Sequence, residues 1–143
     1  MTYAMSEALQ IALYETLITD PTITSLTDGA IYDSVPHPAP DLFIALGPEK
    51  VRSRSDRTGH GANHEFRVSV VTRHEGFLAA KSVAATISNR LLKTKLTPSK
   101  GSIVFLNFLR AEARRDESEG TRRIDLWFRA RLDEVQYKQK NEE

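Results

Sequence analysis

The sequence contains no cysteine among its 143 residues. Disulfide scaffolds and thiolate chemistry are therefore excluded, and a reducing compartment is compatible with the chain. No apolar run approaches the roughly 20 residues that a membrane-spanning helix needs. No basic segment precedes an apolar run near the N-terminus, so we expect no signal peptide and no membrane partner. The net charge is only +1, which argues against nucleic-acid binding by the whole surface.

Motifs that carry enzyme chemistry are also missing. The sequence has no Gly-x-Ser-x-Gly, no phosphate-binding loop and no dinucleotide fingerprint. His60 and His64 are four residues apart, a spacing that suits a metal site on a helix. Gly59 and Gly61 instead put them in a loop and at a strand start, and we interpret both histidines as solvated. We therefore expect no enzyme, no metal site and no cofactor.

The clearest structural signal is the segment 64–90, where the apolar period changes. Phe66, Val68 and Val70 alternate with polar residues, which predicts a strand with one buried face. After Gly76 the spacing becomes three and four residues, which predicts an amphipathic helix over 77–92. The apolar stripe of this helix comprises Phe77, Ala80, Val83, Ala84, Ile87 and Leu91. The helix must pack this stripe on a sheet.

The remaining segments complete one α+β domain over residues 1–137, followed by a charged tail at 138–143. A first helix is capped by Ser6, carries its own apolar stripe and ends at Asp20–Pro21. The segment 22–26 predicts one short turn of helix. The predicted strands are 31–35, 42–54, 64–73, 103–114 and 122–137. The element order is α-β-β-β-α-β-β, and we expect a largely antiparallel sheet of about five strands with two helices on one face.

The other face of this sheet is expected to lack a cover from its own chain. In the last strand the apolar residues alternate with an outward set: Asp125, Trp127, Arg129, Arg131 and Asp133. An uncovered face that carries a tryptophan is typical of an interface. The continuous apolar run 104–109 indicates that both faces of its strand are covered, one of them by a neighbouring subunit. Gly47–Pro48 predicts a bulge in the second strand.

Basic residues cluster along the second strand and the loop that follows it: Lys50, Arg52, Arg54 and Arg57. Alternation puts Arg52 and Arg54 on the same face. One interpretation is a solvated edge strand whose charges prevent aggregation. The other is a surface for phosphates or an acidic partner, without base stacking, because no aromatic residue is interleaved. A second basic set flanks an acidic turn and predicts cross-strand ion pairs: Arg114, Arg115, Arg122 and Arg123.

Several segments, taken in order, carry a family resemblance. They are Ala8-Leu9-Gln10 with Leu13, the run Gly29 to Pro36, Phe43-Ile44 with Leu46-Gly47, Thr72-Arg73 with Glu75-Gly76, the run Phe108 to Asp116, Thr121-Arg122-Arg123, and Phe128-Arg129-Ala130. Over about residues 6–133 the chain resembles the tail-completion (tail terminator) proteins of long non-contractile-tailed phages and the related proteins of gene transfer agents. Val71 departs from the family pattern, which has an aromatic residue before Thr72-Arg73.

The resemblance implies a structural virion protein that is not an enzyme. Such proteins form a homohexameric ring on the head-proximal end of the tail tube, where the ring stops tube polymerisation. The implied partners are other copies of the chain, the tail tube protein, the head–tail connector or stopper protein, and DNA that passes through the bore without sequence specificity. The implied location is the neck end of the tail of a virion or phage-like particle, assembled in the bacterial cytoplasm. The segments 53–63 and 36–40 are long enough to reach neighbouring subunits.

Two sets of residues follow as hypotheses. The expected subunit or tube interface comprises Phe105, Phe108, Trp127 and Arg129. The basic residues expected near the bore or its rim are Arg52, Arg54 and Arg57. The alternatives are another neck or head–tail connector component and a small basic nucleic-acid-binding module.

Overall fold

One five-stranded sheet with a layer of helices forms the described part of the chain. The computed structural model describes residues 3–54 and 60–134. The helices are α1 (Met5–Ile18), α2 (Pro21–Thr27) and α3 (Leu78–Lys93), and the strands are β1 (Ile31–Tyr32), β2 (Leu42–Ser53), β3 (Gly61–Thr72), β4 (Ser102–Asp116) and β5 (Thr121–Asp133). The strand order is β1-β2-β3-β5-β4. Only the short β1–β2 pair is parallel among the described strands, so the predicted α+β class and largely antiparallel sheet are confirmed.

The predicted element order lacks one helix that the structure contains. The short turn predicted over 22–26 is a full helix, α2, because the Asp20 side chain accepts hydrogen bonds from the backbone N–H groups of Thr22 (2.9 Å) and Ile23 (3.0 Å). Pro21 occupies the first helical turn, where its missing N–H is not needed. The Asp-Pro pair that ends α1 therefore also begins α2. The predicted strand 31–35 is shorter, since β1 ends at Tyr32.

The predicted Ser6 cap is wrong. The residue at the N-cap position of α1 is Ala4, and no side chain caps this helix. The Ser6 hydroxyl donates instead to Glu49 Oε1 at 2.6 Å. The Ser6 side chain therefore bonds to a residue of β2 instead of capping the backbone of its own helix. The spacing of residues in the sequence could not reveal this partner.

Both predicted helical stripes are buried against one side of the sheet. From α1 and α3, Leu9, Leu17, Val83 and Ile87 are almost fully buried. They pack with the alternating apolar residues of β3 and β5, where the rings of Phe66 and Phe128 stack at 5.5 Å between centroids. Within residues 3–54 and 60–134, no helix is both long and apolar enough to cross a membrane.

Bulges explain where strand alternation fails. The β2–β3 register shifts between Leu46 and Glu49, which confirms the bulge predicted at Gly47–Pro48. The β4–β5 register shifts twice, and the extra residues are Val104 and Leu109. Each extra residue interrupts the two-residue period, so the apolar run 104–109 does not read as an alternating strand. In the single chain β4 is an edge strand, and Val104 is 57% exposed.

One end of the sheet's second face is covered by the chain itself. Phe43 and Val71 are buried there with Ala30, and Tyr32 and Ala39 pack against them. The proline-rich segment after β1 therefore lies across this end of the sheet. The expectation of a face without its own cover is correct only for the remainder, where Trp127 lies.

Candidate subunit-interface surface

The outer face is the side of the sheet that points away from the helices. Strand pairing places residues from four strands on it, because directly opposed residues share a face. Its charged members are Lys50, Arg52, Glu65, Arg67, Arg110, Glu112, Arg114, Asp116, Arg123, Asp125, Arg129, Arg131 and Asp133. Basic side chains outnumber acidic ones on this face, although the whole chain is nearly neutral.

The structure separates the four residues predicted for the interface. Trp127 and Arg129 lie on the outer face, and so does Phe105, which is paired with Arg131. Phe108 lies on the helix side, where its ring meets that of Phe128 edge-on at 5.8 Å. One flat contact therefore cannot involve all four.

The predicted basic residues form part of a concave site, the arginine depression. Arg52 and Arg54 line it together with Arg129, as the alternation of β2 predicted. Asn63 and Glu65 complete its walls, and its volume is about 270 Å³. Arg57 lies outside the described residues.

A second concave site, the Trp127 depression, adjoins the first through Glu65. It has a volume of about 360 Å³ and is lined by Pro48, Glu49, Lys50, Glu65, Leu109, Arg110 and Trp127. The guanidinium carbons of Arg67 and Arg110 lie 5.7 and 5.1 Å from the centroid of a Trp127 ring. These cation–π contacts hold the indole in place and put positive charge beside an apolar floor.

A buried carboxylate, Asp125, organises the arginines of the outer face. It is 3% exposed, and its Oδ1 accepts hydrogen bonds from Ser69 Oγ (2.6 Å) and Arg123 Nη2 (3.3 Å). Arg67 Nε lies 3.9 Å from Oδ1, and Arg114 Nε lies 3.6 Å from Oδ2. One buried acid thus anchors three arginines from three strands.

The electrostatics of this cluster leave the acid ionised. Burial raises the pKa of Asp125, but the Ser69 hydrogen bond and the charges of Arg123 and Arg67 outweigh it, and the pKa is lowered overall. The pKa of Arg67 is also lowered, by burial first and then by Arg123 and Arg114, while Asp125 opposes this. The cluster carries excess positive charge, because three guanidinium groups share one carboxylate.

The sequence predicts the face on which Asp125 lies but not its burial or its arginine partners, and it predicts the pairing of the hairpin arginines only in part. Arg114 makes the expected cross-strand ion pair, with Asp125 rather than with the turn. Arg115 pairs within its own strand and turn, with Glu117 at 3.8 Å. Arg122 donates to the His74 carbonyl oxygen at 3.1 Å. One feature of the sequence could have indicated this role: Asp125 is a single acidic residue among outward-facing arginines of neighbouring strands.

The interpretation of His64 as a solvated histidine is wrong. The side chain is fully buried on the helix side, and its Nδ1 lies 3.0 Å from Glu49 Oε2. Glu49 also accepts hydrogen bonds from the hydroxyls of Tyr3 and Ser6, both at 2.6 Å. Burial raises the pKa of Glu49, but these hydrogen bonds outweigh it and lower the pKa from 4.5 to about 2. Glu49 is therefore ionised, so His64 Nδ1 donates, and the cluster ties the start of α1 to β2 and β3.

Comparisons with known proteins agree with the sequence resemblance. The family model described as "Tail completion protein gp17" matches residues 11–133. A chain from a structure titled "Virion of native gene transfer agent (GTA) particle" superposes with a TM-score of 0.85 and is 47% identical. The alignment covers 92% of this chain and 99% of that one. No curated protein matches the sequence. This chain belongs to the tail completion protein gp17 family.

Proposed function

We propose that this protein is a tail terminator, which forms a hexameric ring on the head-proximal end of the tail tube. The ring stops tube polymerisation and joins the tail to the head–tail connector or stopper protein. Membership of the tail completion family makes the chain a structural tail protein of a phage or phage-like particle. The finer statements, six copies and one capped end of the tube, belong to the proposal.

The observation that carries the proposal is the match to a chain in a native gene transfer agent virion. That match spans almost the whole of both chains at 47% identity. A fold shared over this length at this identity supports a shared role better than a match of fold alone would. By the same comparison we propose that the protein works at the neck end of a particle tail, after assembly in the bacterial cytoplasm.

The subunit surface is suited to a closed ring. A ring needs a heterologous contact, in which one patch meets a different patch on the next copy. The helix side and the outer face of the sheet are two such different patches. The exposed apolar residues of β4, among them Val104, Phe105 and Leu109, give the edge of the sheet a further surface to bury. We propose that Phe105, Trp127 and Arg129 lie in subunit contacts, with Phe108 in a tube contact on the other side.

DNA passes through the bore in this proposal, and we assign the contact with it to the arginine depression. Arg52 and Arg54 form no ion pair with any residue in the ranges 3–54 and 60–134. A few such charges attract the phosphate backbone without sequence preference. With Arg52, Arg54 and Arg57 changed to serine, we expect complete particles that deliver DNA less efficiently. Unchanged delivery would remove this role.

Mass photometry of the protein, alone and with assembled tail tubes, tests the main proposal. Six copies of the 16.1 kDa chain would form a species of roughly 97 kDa, well separated from the monomer. Electron microscopy should then show extra density at one end of each tube, and tubes that no longer grow. A monomer that neither binds tubes nor limits their length would contradict the terminator role.

A nucleic-acid-binding module is the second candidate, which the basic outer face favours. That function would require the isolated protein to bind duplex DNA with an affinity that falls steeply with salt. Binding to the connector alone, without tube capping, would instead indicate another neck component.

A further inference from the structure

Charge is divided along the chain, and the fold places the acidic helices α1 and α2 on the side of the sheet opposite the basic outer face. Residues 1–49 contain seven acidic residues and no lysine or arginine, so all 20 basic residues begin at Lys50. The acidic part includes α1 and α2, which pack on one side of the sheet. The basic excess lies on the outer face, on the other side. α3 packs on the same side as α1 and carries Lys81, Arg90 and Lys93, so the charge separation is between the α1–α2 part of the helix side and the outer face.

The exposed side of α1 combines acidic and apolar residues in one stripe. Glu7, Ile11, Tyr14 and Glu15 are spaced by three and four residues, so they point the same way. Ile11 is 45% exposed and Tyr14 is 40% exposed. Neither glutamate forms an ion pair within the described ranges. This stripe has two apolar anchors between two unpaired carboxylates.

The Trp127 depression has the complementary pattern. Trp127, Leu109 and Pro48 supply apolar surface, and Lys50 and Arg110 stand at its two sides. Two carboxylates also line it, but both already have partners within the chain: Glu49 with Tyr3, Ser6 and His64, and Glu65 with Arg129. Lys50 forms no ion pair with any described residue. Besides its cation–π contact with Trp127, Arg110 has one ion pair, a 3.9 Å contact with Glu112 in which both side chains are exposed. Such an exposed pair contributes little and is easily exchanged for another partner.

We infer that the exposed stripe of α1 from one copy docks into the Trp127 depression of the next copy. Ile11 and Tyr14 cover the apolar floor, and the two glutamates meet Lys50 and Arg110. The inference rests on the proposed ring and names the two patches that meet in it. Because α1 and the depression lie on opposite sides of the sheet, each copy can give one contact and accept one, as a heterologous ring requires. The arrangement is a helix in a groove.

The dimensions agree with this contact. Glu7 and Glu15 are separated by two turns of helix, about 12 Å along the axis. Lys50 lies on β2 and Arg110 on β4, three strand spacings apart in the sheet order, which is about 14 Å. A helix lying across the strands would therefore bring each carboxylate close to one basic side chain.

A helix fits this depression better than DNA does. Glu65 lines both depressions and its ion pair with Arg129 partly offsets its charge, so the apolar lining is what separates the two ligands. The floor is an indole with an aliphatic neighbour, which an apolar side chain can cover. The arginine depression has no aromatic or aliphatic lining residue, so it suits phosphate better.

Charge reversal on both patches tests the contact. We expect the pair Lys50→Glu/Arg110→Glu and the pair Glu7→Lys/Glu15→Lys each to raise the protein concentration needed for ring formation or tube capping about tenfold. All four changes together should restore assembly, since the charges are again complementary. Glu75→Lys/Glu119→Lys adds the same charge as the α1 pair at exposed sites away from α1, and it should assemble normally. Circular dichroism melts confirm that each variant is folded.

Cross-linking gives an independent readout, because the chain has no cysteine of its own. Ile11→Cys/Leu109→Cys, treated with a short bis-maleimide on capped tubes, should give a ladder of linked chains up to the closed ring. Each single variant should give no ladder.

Capped tubes without a ladder, together with normal assembly of both charge-reversed pairs, would overturn the contact and leave the terminator role intact. Wild-type protein that neither closes into a ring nor caps tubes would overturn both. Loss of DNA binding alone in Lys50→Glu/Arg110→Glu would show that the depression meets DNA instead.

Discussion

At the scale of single residues, the buried Asp125 and the partly buried Glu49 have different roles on the two sides of the sheet. Asp125 holds the arginines of the outer face in place, and Glu49 ties the start of α1 to the sheet. Both are ionised because hydrogen bonds and neighbouring charges outweigh the effect of burial. Removing either one leaves a buried donor without its acceptor, Ser69 for Asp125 and His64 for Glu49, which costs more than the loss of a surface ion pair.

Replacing Asp125 with asparagine should destabilise the protein by about 3 kcal/mol, because three guanidinium groups then face each other without a counter-charge. The free energy of unfolding from urea titrations at pH 7 measures this. Glu112→Gln is the matched control, since Glu112 is paired opposite Asp125 on β4 but is exposed. We expect the control to change stability by less than about 0.5 kcal/mol. Equal effects of the two changes would contradict the central role of Asp125.

Glu49 should make stability depend on pH in acid. Its pKa is about 2 in the folded protein and 4.5 ordinarily, so the unfolded chain binds the proton more readily. The stabilisation is therefore complete above about pH 4.5 and is lost as the pH falls towards about 2. Glu49→Gln should lower the free energy of unfolding by on the order of 2 kcal/mol at neutral pH.

The measurement is a urea titration of both proteins between neutral pH and pH 2. The difference between wild type and Glu49→Gln should shrink through this window. A constant difference would mean that the ionised form of Glu49 is not what stabilises the fold. Glu15→Gln, an exposed change on α1, should leave the acid limb of the wild-type curve unaltered.

At the scale of elements, α2 depends on its first residues. Asp20 satisfies two backbone N–H groups that would otherwise lack a partner, and it lies 3.7 Å from Arg90 on α3. Asp20→Ala should reduce the free energy of unfolding by about 1 kcal/mol, the usual contribution of an N-cap. Ser25→Ala, an exposed change within α2, should be neutral or slightly stabilising. An unchanged melting temperature for Asp20→Ala would show that α2 does not depend on this cap.

At the scale of the whole molecule, the exposed apolar residues of β4 are surface that the proposed ring would bury. Phe105 and Leu106 are adjacent, but Phe105 lies on the outer face and Leu106 packs against the core. Phe105→Ser should change the free energy of unfolding by less than about 1 kcal/mol and reduce ring formation or tube capping several-fold. Leu106→Ser should instead destabilise the single chain by about 2 kcal/mol or more.

Denaturation and tube capping should be measured on both variants. If Phe105→Ser unfolded as readily as Leu106→Ser, Phe105 would be a core residue rather than a contact residue. If it were stable and capped tubes like wild type, the outer side of β4 would lie outside the assembly contacts. Denaturation measures folding and tube capping measures association. The two can differ at Phe105 because β4 lies at the edge of the sheet.

Sequence periodicity was sufficient to predict which residues are buried wherever burial follows from the spacing within one helix or strand. The stripes of α1 and α3 and the alternation of β3 and β5 place their residues correctly, because a side chain's direction in a helix or strand depends only on position. The bulge at Gly47–Pro48 was predictable for the same kind of reason, since proline cannot donate to a sheet. The placement of Arg52 and Arg54 on one face also follows from alternation.

What the sequence by itself determined is therefore the α+β class, the element order apart from α2, the core faces and the family. Only the tertiary structure decided which distant side chains meet: Glu49 with Ser6 and His64, Asp125 with three arginines, and the acidic helices on the side opposite the basic face. These pairings depend on strand order and register, which bring together residues far apart in the chain. Local spacing fixes the direction of a side chain but not its partner across the sheet, and the partner decides charge, burial and contact.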